Sequence, residues 1–433
     1  MRPSSKIGLE PSPPPPEPGL PPAPAPAPAP APAQSVRPAP AQSVPPGPVS
    51  IGEALHGTDN ALGLLRLILA ALVIFDHAFP LGGFGADPFF AVTRGQASLG
   101  SLAVGGFFAI SGYLIAKSGM SADVVQFMWR RTMRIFPAYW VVLLTTALVV
   151  GPLIWLGDGG SLAAYFTVGG TGPVNYFTSN WTLKIGTYGI YDLLKETTPY
   201  GRSVGASAFN GSIWTLIYEW NCYLMIAVLV LFGVLRNARV IVPVMASFFL
   251  ILQIVAAINF NVLGVLVPLL ADPYTIQLTM TFLVGSVIAV YSKQIPFDNL
   301  IGILSGLTLL VSLRWGGFST IGTIAGAYFI VYMGARLPRA VHWVGRKNDY
   351  SYGVYIYGFV VQQVLAYLGW YRLGYWPYAI SGLFISFGCA WLSWHLVEKR
   401  AMALKNWGPG RGTRYWAERA RTRFASRETR SGT

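Results

Sequence analysis

Charged residues are scarce in this chain. Asp, Glu, Lys and Arg make up 11% of the 433 residues, whereas they make up about a quarter of a typical soluble domain. More than half of the residues are apolar, and apolar runs of about 20 residues recur along the chain. This composition excludes an ordinary soluble domain and predicts an all-α, polytopic integral membrane protein.

Cysteine is also nearly missing. Cys222 and Cys389 both lie inside apolar segments, and neither has the spacing of a metal-binding or redox motif. We therefore expect two buried small hydrophobic side chains, no disulfide and no bound metal.

The net charge of +14 raises the question of nucleic-acid binding. The basic residues form short clusters between apolar runs instead of covering one solvated face. That arrangement indicates membrane orientation by the positive-inside rule and no nucleic-acid partner.

The apolar runs predict about ten membrane-spanning helices. They are expected near residues 61–79, 99–118, 136–157, 212–233, 240–258, 274–291, 298–313, 318–335, 350–369 and 377–397.

The loop charges then predict the orientation. With a cytoplasmic N-terminus, most basic clusters fall in inner loops, so both termini are expected in the cytoplasm of a multi-pass inner (plasma) membrane protein. The predicted parts are a disordered Pro/Ala-rich tail over 1–57, a ten-helix domain over 58–405 and a basic tail over 406–433. The long segment 158–211 falls outside the cell, either as an ordered, glycan-facing cap or as a simple connector.

The first predicted helix carries three ionisable residues. Arg66 and His77 are eleven positions apart, so they project from one helix face about 16 Å apart along the axis. Asp76 points about 100° away from His77. Ionisable groups inside a membrane usually line cavities or pair with partners, so His77 and, less strongly, Asp76 are candidate functional residues.

Two further stretches add polar groups. The second helix reads GGFFAISGYLIAKS, where small residues allow close helix approach and Ser111 and Tyr113 supply hydroxyls. The next stretch, FMWRRTMRIFPAYW, is expected to be cytoplasmic, with Pro137 at the start of the third helix. Its cations either anchor the topology or bind a phosphorylated ligand; they are Arg130, Arg131 and Arg134.

The fourth helix opens with SIWTLIYEWNCYL. Glu219 is a carboxylate in an apolar helix, close to Trp214 and Tyr223, and it is a candidate for acid/base chemistry or for orienting an imidazole.

Together these motifs resemble the membrane-bound acyltransferase type 3 family over residues 58–402. The resemblance rests on the Arg66–His77 pair, GGFFAISGYLI at 105–115, RRTMRIFPAYW at 130–140 and WTLIYEWNCY at 214–223. There are two departures. SYGVYIYG places Gly358 where many members have a histidine, and residues 398–401 read Glu-Lys-Arg-Ala instead of Glu-Arg-Pro.

The resemblance implies an O-acyltransferase with no permanently bound cofactor. Its co-substrate would be acyl-CoA, acetyl-CoA by default, held by Arg66, the three cytoplasmic arginines, Ser111 and Tyr113. His77 would act as the base or carry the acyl group, Glu219 and Asp76 would fix its tautomer, and Trp214 and Tyr223 would line the pocket. The acceptor would be a carbohydrate or lipid-linked glycan among membrane lipids, and a homo-oligomer stays open.

Two alternatives belong to other classes. The same ionisable residues would suit a proton relay in a secondary transporter, although the halves show no inverted repeat. A non-catalytic scaffold that gathers or flips lipid-linked sugars is the third option.

Overall fold

The computed structural model describes residues 49–259 and 272–431, with side chains described up to residue 422. All of them belong to the second of the two units into which the chain divides, Gly47–Thr433. Within the described ranges the secondary structure is helical, without a strand apart from one isolated bridge between Ser50 and Pro296.

In the part of the chain that the structure describes, ten long helices correspond one to one to the ten predicted segments. Eight of them are long and apolar enough to cross a membrane, while the seventh and ninth have 17 residues each. The prediction of an all-α polytopic membrane protein is confirmed, and the number of crossings stays a prediction. The helices are α1 Leu62–Gly82, α2 Leu99–Gly119, α3 Val124–Gly157, α4 Ser212–Leu231, α5 Ile241–Ile258, α6 Pro273–Val290, α7 Asn299–Trp315, α8 Phe318–Arg336, α9 Ser351–Tyr367 and α10 Tyr375–Asn406.

Side-chain caps fix where several helices begin. Ser98 accepts a hydrogen bond from the Ser101 N–H before α2, and Asp272 and Asp298 cap α6 and α7 in the same way. Such caps satisfy N–H groups that have no partner inside the helix.

The start of the third helix was predicted wrongly. Asp123 accepts a hydrogen bond from the Gln126 N–H, and the helix therefore begins at Val124 instead of near residue 136. Pro137 lies inside the helix, where it removes a single N–H donor. The three arginines of this stretch thus project from a helix and not from a loop.

Residues near the N-terminus also differ from the expected tail. Ser50 and Glu53 form a capping box on a short helix, Ile51–Ala54, and Ile51 is fully buried. Residues 50–54, predicted to belong to the disordered tail, are therefore ordered, and the rest of that prediction, over residues 1–48, lies outside the described part of the chain.

The helix bundle has two chemically different ends. At the start of α1, the Ala61 N–H donates to the Gly334 carbonyl and Lys117 Nζ donates to the Leu55 carbonyl. We call this the basic end. At the other end of α1, Gly83 lies against Pro199 of the 158–211 segment, and we call it the loop end.

The 158–211 segment is ordered. It contains three short helices, and the Tyr139 hydroxyl and Trp140 Nε1 of α3 donate to the carbonyls of Asn180 and Trp181. The order agrees with the expected cap, while a glycan-facing role stays a prediction.

Helices α2 and α6 pack backbone to backbone through glycine. A Cβ atom at Gly112 would overlap the Phe282 carbonyl oxygen, and one at Gly285 would overlap the Ala109 carbonyl oxygen. The expected close approach of the second helix is confirmed.

A leucine at this crossing should destabilise the fold. We expect Gly112→Leu to cost about 1–3 kcal/mol or more, since neither backbone can move away without breaking its helix. Gly388→Leu is the matched control, because Gly388 is a helical glycine of α10 with open space around its Cβ position. Thermal unfolding in detergent measures both, and equal unfolding temperatures would contradict the packing argument.

Candidate active site

A bridge of charged groups joins three helices at the basic end. Arg66 of α1 and Arg134 of α3 both donate to Oδ2 of Asp349, which lies just before α9, and the Arg134–Asp349 distance is 2.6 Å. Arg134 also contacts Glu398 of α10 at 3.4 Å. We call these four side chains the ion bridge.

Asp349 is held in its ionised form. The Ser351 N–H and hydroxyl donate to its second oxygen, Oδ1. Burial raises the pKa of Asp349, but the guanidinium groups of Arg66 and Arg134 outweigh burial and bring that pKa to about 2.

A positively charged cleft opens beside the ion bridge. It has a volume of about 480 Å³, and its wall carries five cations against one acid, Asp349. We call it the basic cleft. It is lined by Arg134, Gly345, Arg346, Lys347, Asp349, Trp394, Lys399, Met402, Ala403 and Lys405.

A narrow cavity of about 40 Å³ lies on the other side of Arg66. Glu219 lines it, and the carboxylate oxygen Oε1 of Glu219 accepts hydrogen bonds from the Ser111 hydroxyl, at 2.9 Å, and from the Tyr223 hydroxyl. The other oxygen of Glu219 has no partner in the described part of the chain. We call this cavity the gap, and Tyr355 forms part of its wall.

A larger chamber of about 490 Å³ follows the gap. The gap and the chamber share Val104 and Tyr355 as wall residues. The wall of the chamber is mainly apolar, and its few polar groups include His77, Asp76 and Gln277.

His77 has no hydrogen-bond partner among the described residues. Its ring packs edge-on against Phe359, with 5.4 Å between the ring centroids. The expected contacts to Glu219 and Asp76 are absent there, because Glu219 is bound to Ser111 and Tyr223, and Asp76 lies beside Ser98 and the Gly100 backbone. Neither carboxylate therefore fixes the tautomer of His77 in this structure.

The structure separates the other predicted site residues. Trp214 lines the chamber, Arg66 and Ser111 line the gap, and Arg134 lines the basic cleft. Four residues line none of these cavities. Tyr223, expected in the pocket wall, donates to Glu219, and Tyr113 is buried in the core below Lys117. Arg130 donates to Asn406 Oδ1, and Arg131 contacts the Ser118 hydroxyl at 3.5 Å.

Sequence reasoning missed Asp349 as a site residue. One signal was present, because Asp349 is the single acid in the basic stretch RLPRAVHWVGRKNDY that leads into α9. Gln277 carried no such signal, since it is one of several polar residues in an apolar helix, and Tyr355 was noted only as part of SYGVYIYG.

Gly358 leaves little room for a side chain. A Cβ atom there would lie 3.0 Å from Ile74 Cγ1 of α1, so Ile74 must shift before a larger residue fits. The position where relatives of the resembled family have histidine is therefore filled by packing with α1.

Comparison with known proteins gives one family and two relatives. The family model described as an acyltransferase domain matches residues 59–395. An "O-acetyl transferase" of Shigella phage Sf6 is 29% identical over 354 residues, which cover 79% of this chain and 95% of the relative. "Nodulation protein 10" of Rhizobium leguminosarum bv. viciae is 28% identical over 373 residues, which cover 81% and 95%. No solved structure matches this chain.

The ion bridge should make the stability of the fold depend on pH in the acidic range. Because the folded pKa of Asp349 is about 2 and an unfolded aspartate titrates near 3.9, the stabilisation is present above about pH 4 and is lost as the pH falls toward 2. We expect wild type to exceed Asp349→Asn in unfolding free energy by roughly 2 kcal/mol at neutral pH.

Thermal unfolding in detergent between pH 5 and 2 tests this. The difference between the two proteins should close toward pH 2, and a difference that stays constant over this range would contradict the bridge.

Proposed function

This chain belongs to the acyltransferase family whose domain matches residues 59–395, and on that premise we propose how this membrane O-acyltransferase works. It takes an acyl group, acetyl by default, from cytosolic acyl-CoA. It passes the group to a hydroxyl of a carbohydrate or glycolipid on the outer side of the inner membrane. The name of the phage relative, "O-acetyl transferase", supports the acetyl group.

The observation that carries this proposal is the series of cavities along α1. The basic cleft, the ion bridge, the gap and the chamber follow one another, and α1 supplies Arg66 near one end of the series and His77 at the other. Eleven residues of helix separate these two by about 16 Å. A donor with a charged head and a long arm matches that series.

The basic cleft would hold the phosphates of the donor. Guanidinium and ammonium groups bind phosphate strongly, and the cleft carries four cations besides Arg134. By the positive-inside rule this end faces the cytosol, where acyl-CoA is present. The cleft thus replaces Arg130 and Arg131 in the role first expected of the arginine cluster.

The gap would hold the pantetheine arm. The arm carries amide N–H groups, and the oxygen of Glu219 that has no partner among the described residues is an acceptor at this place. Ser111 and Tyr223 use the other oxygen of Glu219 and so fix the carboxylate in position. Glu219 would therefore orient the donor and not the imidazole.

The chemistry would take place at His77 in the chamber. Neutral His77 takes the proton of the acceptor hydroxyl, whose oxygen attacks the thioester carbonyl carbon. The carbon–sulfur bond breaks, and the thiolate of CoA leaves and takes up a proton. In a covalent variant the imidazole nitrogen attacks first and then hands the acyl group to the acceptor.

The acceptor would enter from the loop end. Trp214 and Tyr274 stand at the chamber with 4.6 Å between their ring centroids, and Tyr274 is half exposed. The Gln277 amide and the Trp214 indole N–H have no partner within the described ranges. An aromatic pair with free polar groups suits a sugar that offers both C–H faces and hydroxyls.

Replacing His77 should stop turnover. We expect His77→Ala to lower the consumption of acetyl-CoA by purified protein about 10²–10⁴-fold, because the reaction loses its base. His395→Ala is the control, since His395 is held by the Trp391 carbonyl and lines none of the three cavities. Unchanged turnover in His77→Ala would contradict the catalytic role. A wild-type protein that never consumes acetyl-CoA but transports a solute would favour the secondary transporter.

Reversing one charge in the basic cleft should weaken donor binding. We expect Lys399→Glu to raise the Kd for CoA about tenfold, with a smaller effect at high salt. Lys293→Glu is the matched control, because Lys293 is an exposed cation of the basic end outside the cleft. Equal Kd values for both variants, measured by equilibrium binding, would place the phosphates elsewhere.

A further inference from the structure

Asp349 lies between the basic cleft and the gap, and a bound donor would have to extend from the first into the second. Its side chain lines the basic cleft, whereas its partner Arg66 lines the gap. Its other partner, Arg134, lines the cleft. The salt bridge between Arg66 and Asp349 therefore blocks the path from the basic cleft, where the phosphates would bind, to the gap and the chamber.

We propose that Asp349 is a gate that keeps the gap closed until the donor's phosphates take Arg66 and Arg134 away from it. The inference rests on the proposed function, since it takes acyl-CoA as the ligand of the basic cleft. It adds a residue and a regulatory step that the acyl-transfer chemistry does not by itself require.

The carboxylate and a phosphate compete for the same donors. Both guanidinium groups point at the single oxygen Oδ2 of Asp349. A phosphate offers more oxygens and more charge, and it accepts from guanidinium groups in pairs. Arg134 keeps Glu398 as a second partner while it turns, so the exchange does not leave it unpaired.

The opening requires little movement of the fold. Asp349 lies in the loop before α9, and its oxygen Oδ1 is held by the Ser351 N–H and hydroxyl at the first turn of that helix. Ser351 is itself buried, at 1% exposure. The carboxylate can therefore release the arginines while α9 stays in place.

A closed gate also protects the chamber. While Asp349 holds both arginines, the basic cleft and the chamber are separated, and water or free anions from the cleft do not reach His77. The group that displaces the gate is the head of the donor whose arm then enters the gap. Opening is thus coupled to the arrival of the correct ligand.

The test measures the binding of adenosine 3′,5′-bisphosphate, a charged probe without a pantetheine arm. We expect Asp349→Asn to bind it about tenfold more tightly than wild type, a change of about 1.4 kcal/mol, because the competing carboxylate is gone. Ser351→Ala should shift the affinity in the same direction by less, because it loosens Asp349 and keeps its charge. The second variant also serves if Asp349→Asn proves unstable.

Asp59→Asn is the matched control. Asp59 is an exposed acid at the same end, paired with Arg339 and His342, and it lines none of the three cavities. Its affinity for the probe should equal that of wild type. A similar gain in Asp59→Asn would attribute the effect to net charge and overturn the gate.

The outcomes separate the gate from the proposed function. Equal or weaker binding by Asp349→Asn, with normal binding by wild type, overturns the gate alone and makes Asp349 a residue that positions the arginines. A wild-type protein that binds neither the bisphosphate nor acetyl-CoA would overturn the donor assignment, and the gate proposal, which depends on that assignment, would be overturned as well.

Discussion

The arrangement of the basic end depends on the electrical neutrality of the ion bridge. Two guanidinium groups and two carboxylates, from α1, α3, α10 and the loop before α9, contact one another with side chains that are at most 23% exposed. A single charge of this kind is expensive to bury, and the loss of one partner leaves the others uncompensated. The positions of these four segments are therefore mutually dependent. The basic cleft exists because further cations surround this neutral centre without partners of their own in the cluster.

Glycine has two opposite effects in the bundle. Where Gly112 and Gly285 face a neighbouring backbone, the missing side chains allow α2 and α6 to touch. At the chamber the missing side chain of Gly105 leaves empty volume, since a Cβ atom there would meet nothing within 4 Å, whereas one at Gly100, Gly106 or Gly322 would overlap a neighbouring side chain. The glycines of the chamber wall are Gly100, Gly105, Gly106, Gly322 and Gly326. Tight packing on one side of α2 and a cavity on the other thus have the same chemical origin.

Much of the fold follows from the sequence, because apolar runs and their lengths are local properties. Nine of the ten helices begin within a few residues of the predicted position. The exception, α3, carried a readable signal in Asp123, but the apolar pattern alone placed the start too late. The helical spacing of Arg66 and His77 predicted two side chains on one helix face, and in the structure Arg66 lines the gap and His77 lines the adjoining chamber. Their partners were not readable in the same way. Asp349 lies 283 positions from Arg66 in the chain, and only the tertiary packing of α9 against α1 brings them together.

The isolation of His77 is a packing result that suits the base of the proposed mechanism. An imidazole bound to a carboxylate on one nitrogen is held in one tautomer, whereas His77 has aromatic and aliphatic neighbours and a free ring edge on the chamber. A ring in such surroundings has no hydrogen-bond partner among the described residues, so a ligand would have to bring one. The chamber wall also carries the Gln277 amide and the Trp214 indole N–H, which have no partner among the described residues, at the side where an acceptor would enter. In the proposed mechanism the hydroxyl of the acceptor would be that partner, so proton transfer would begin only when donor and acceptor occupy the chamber together.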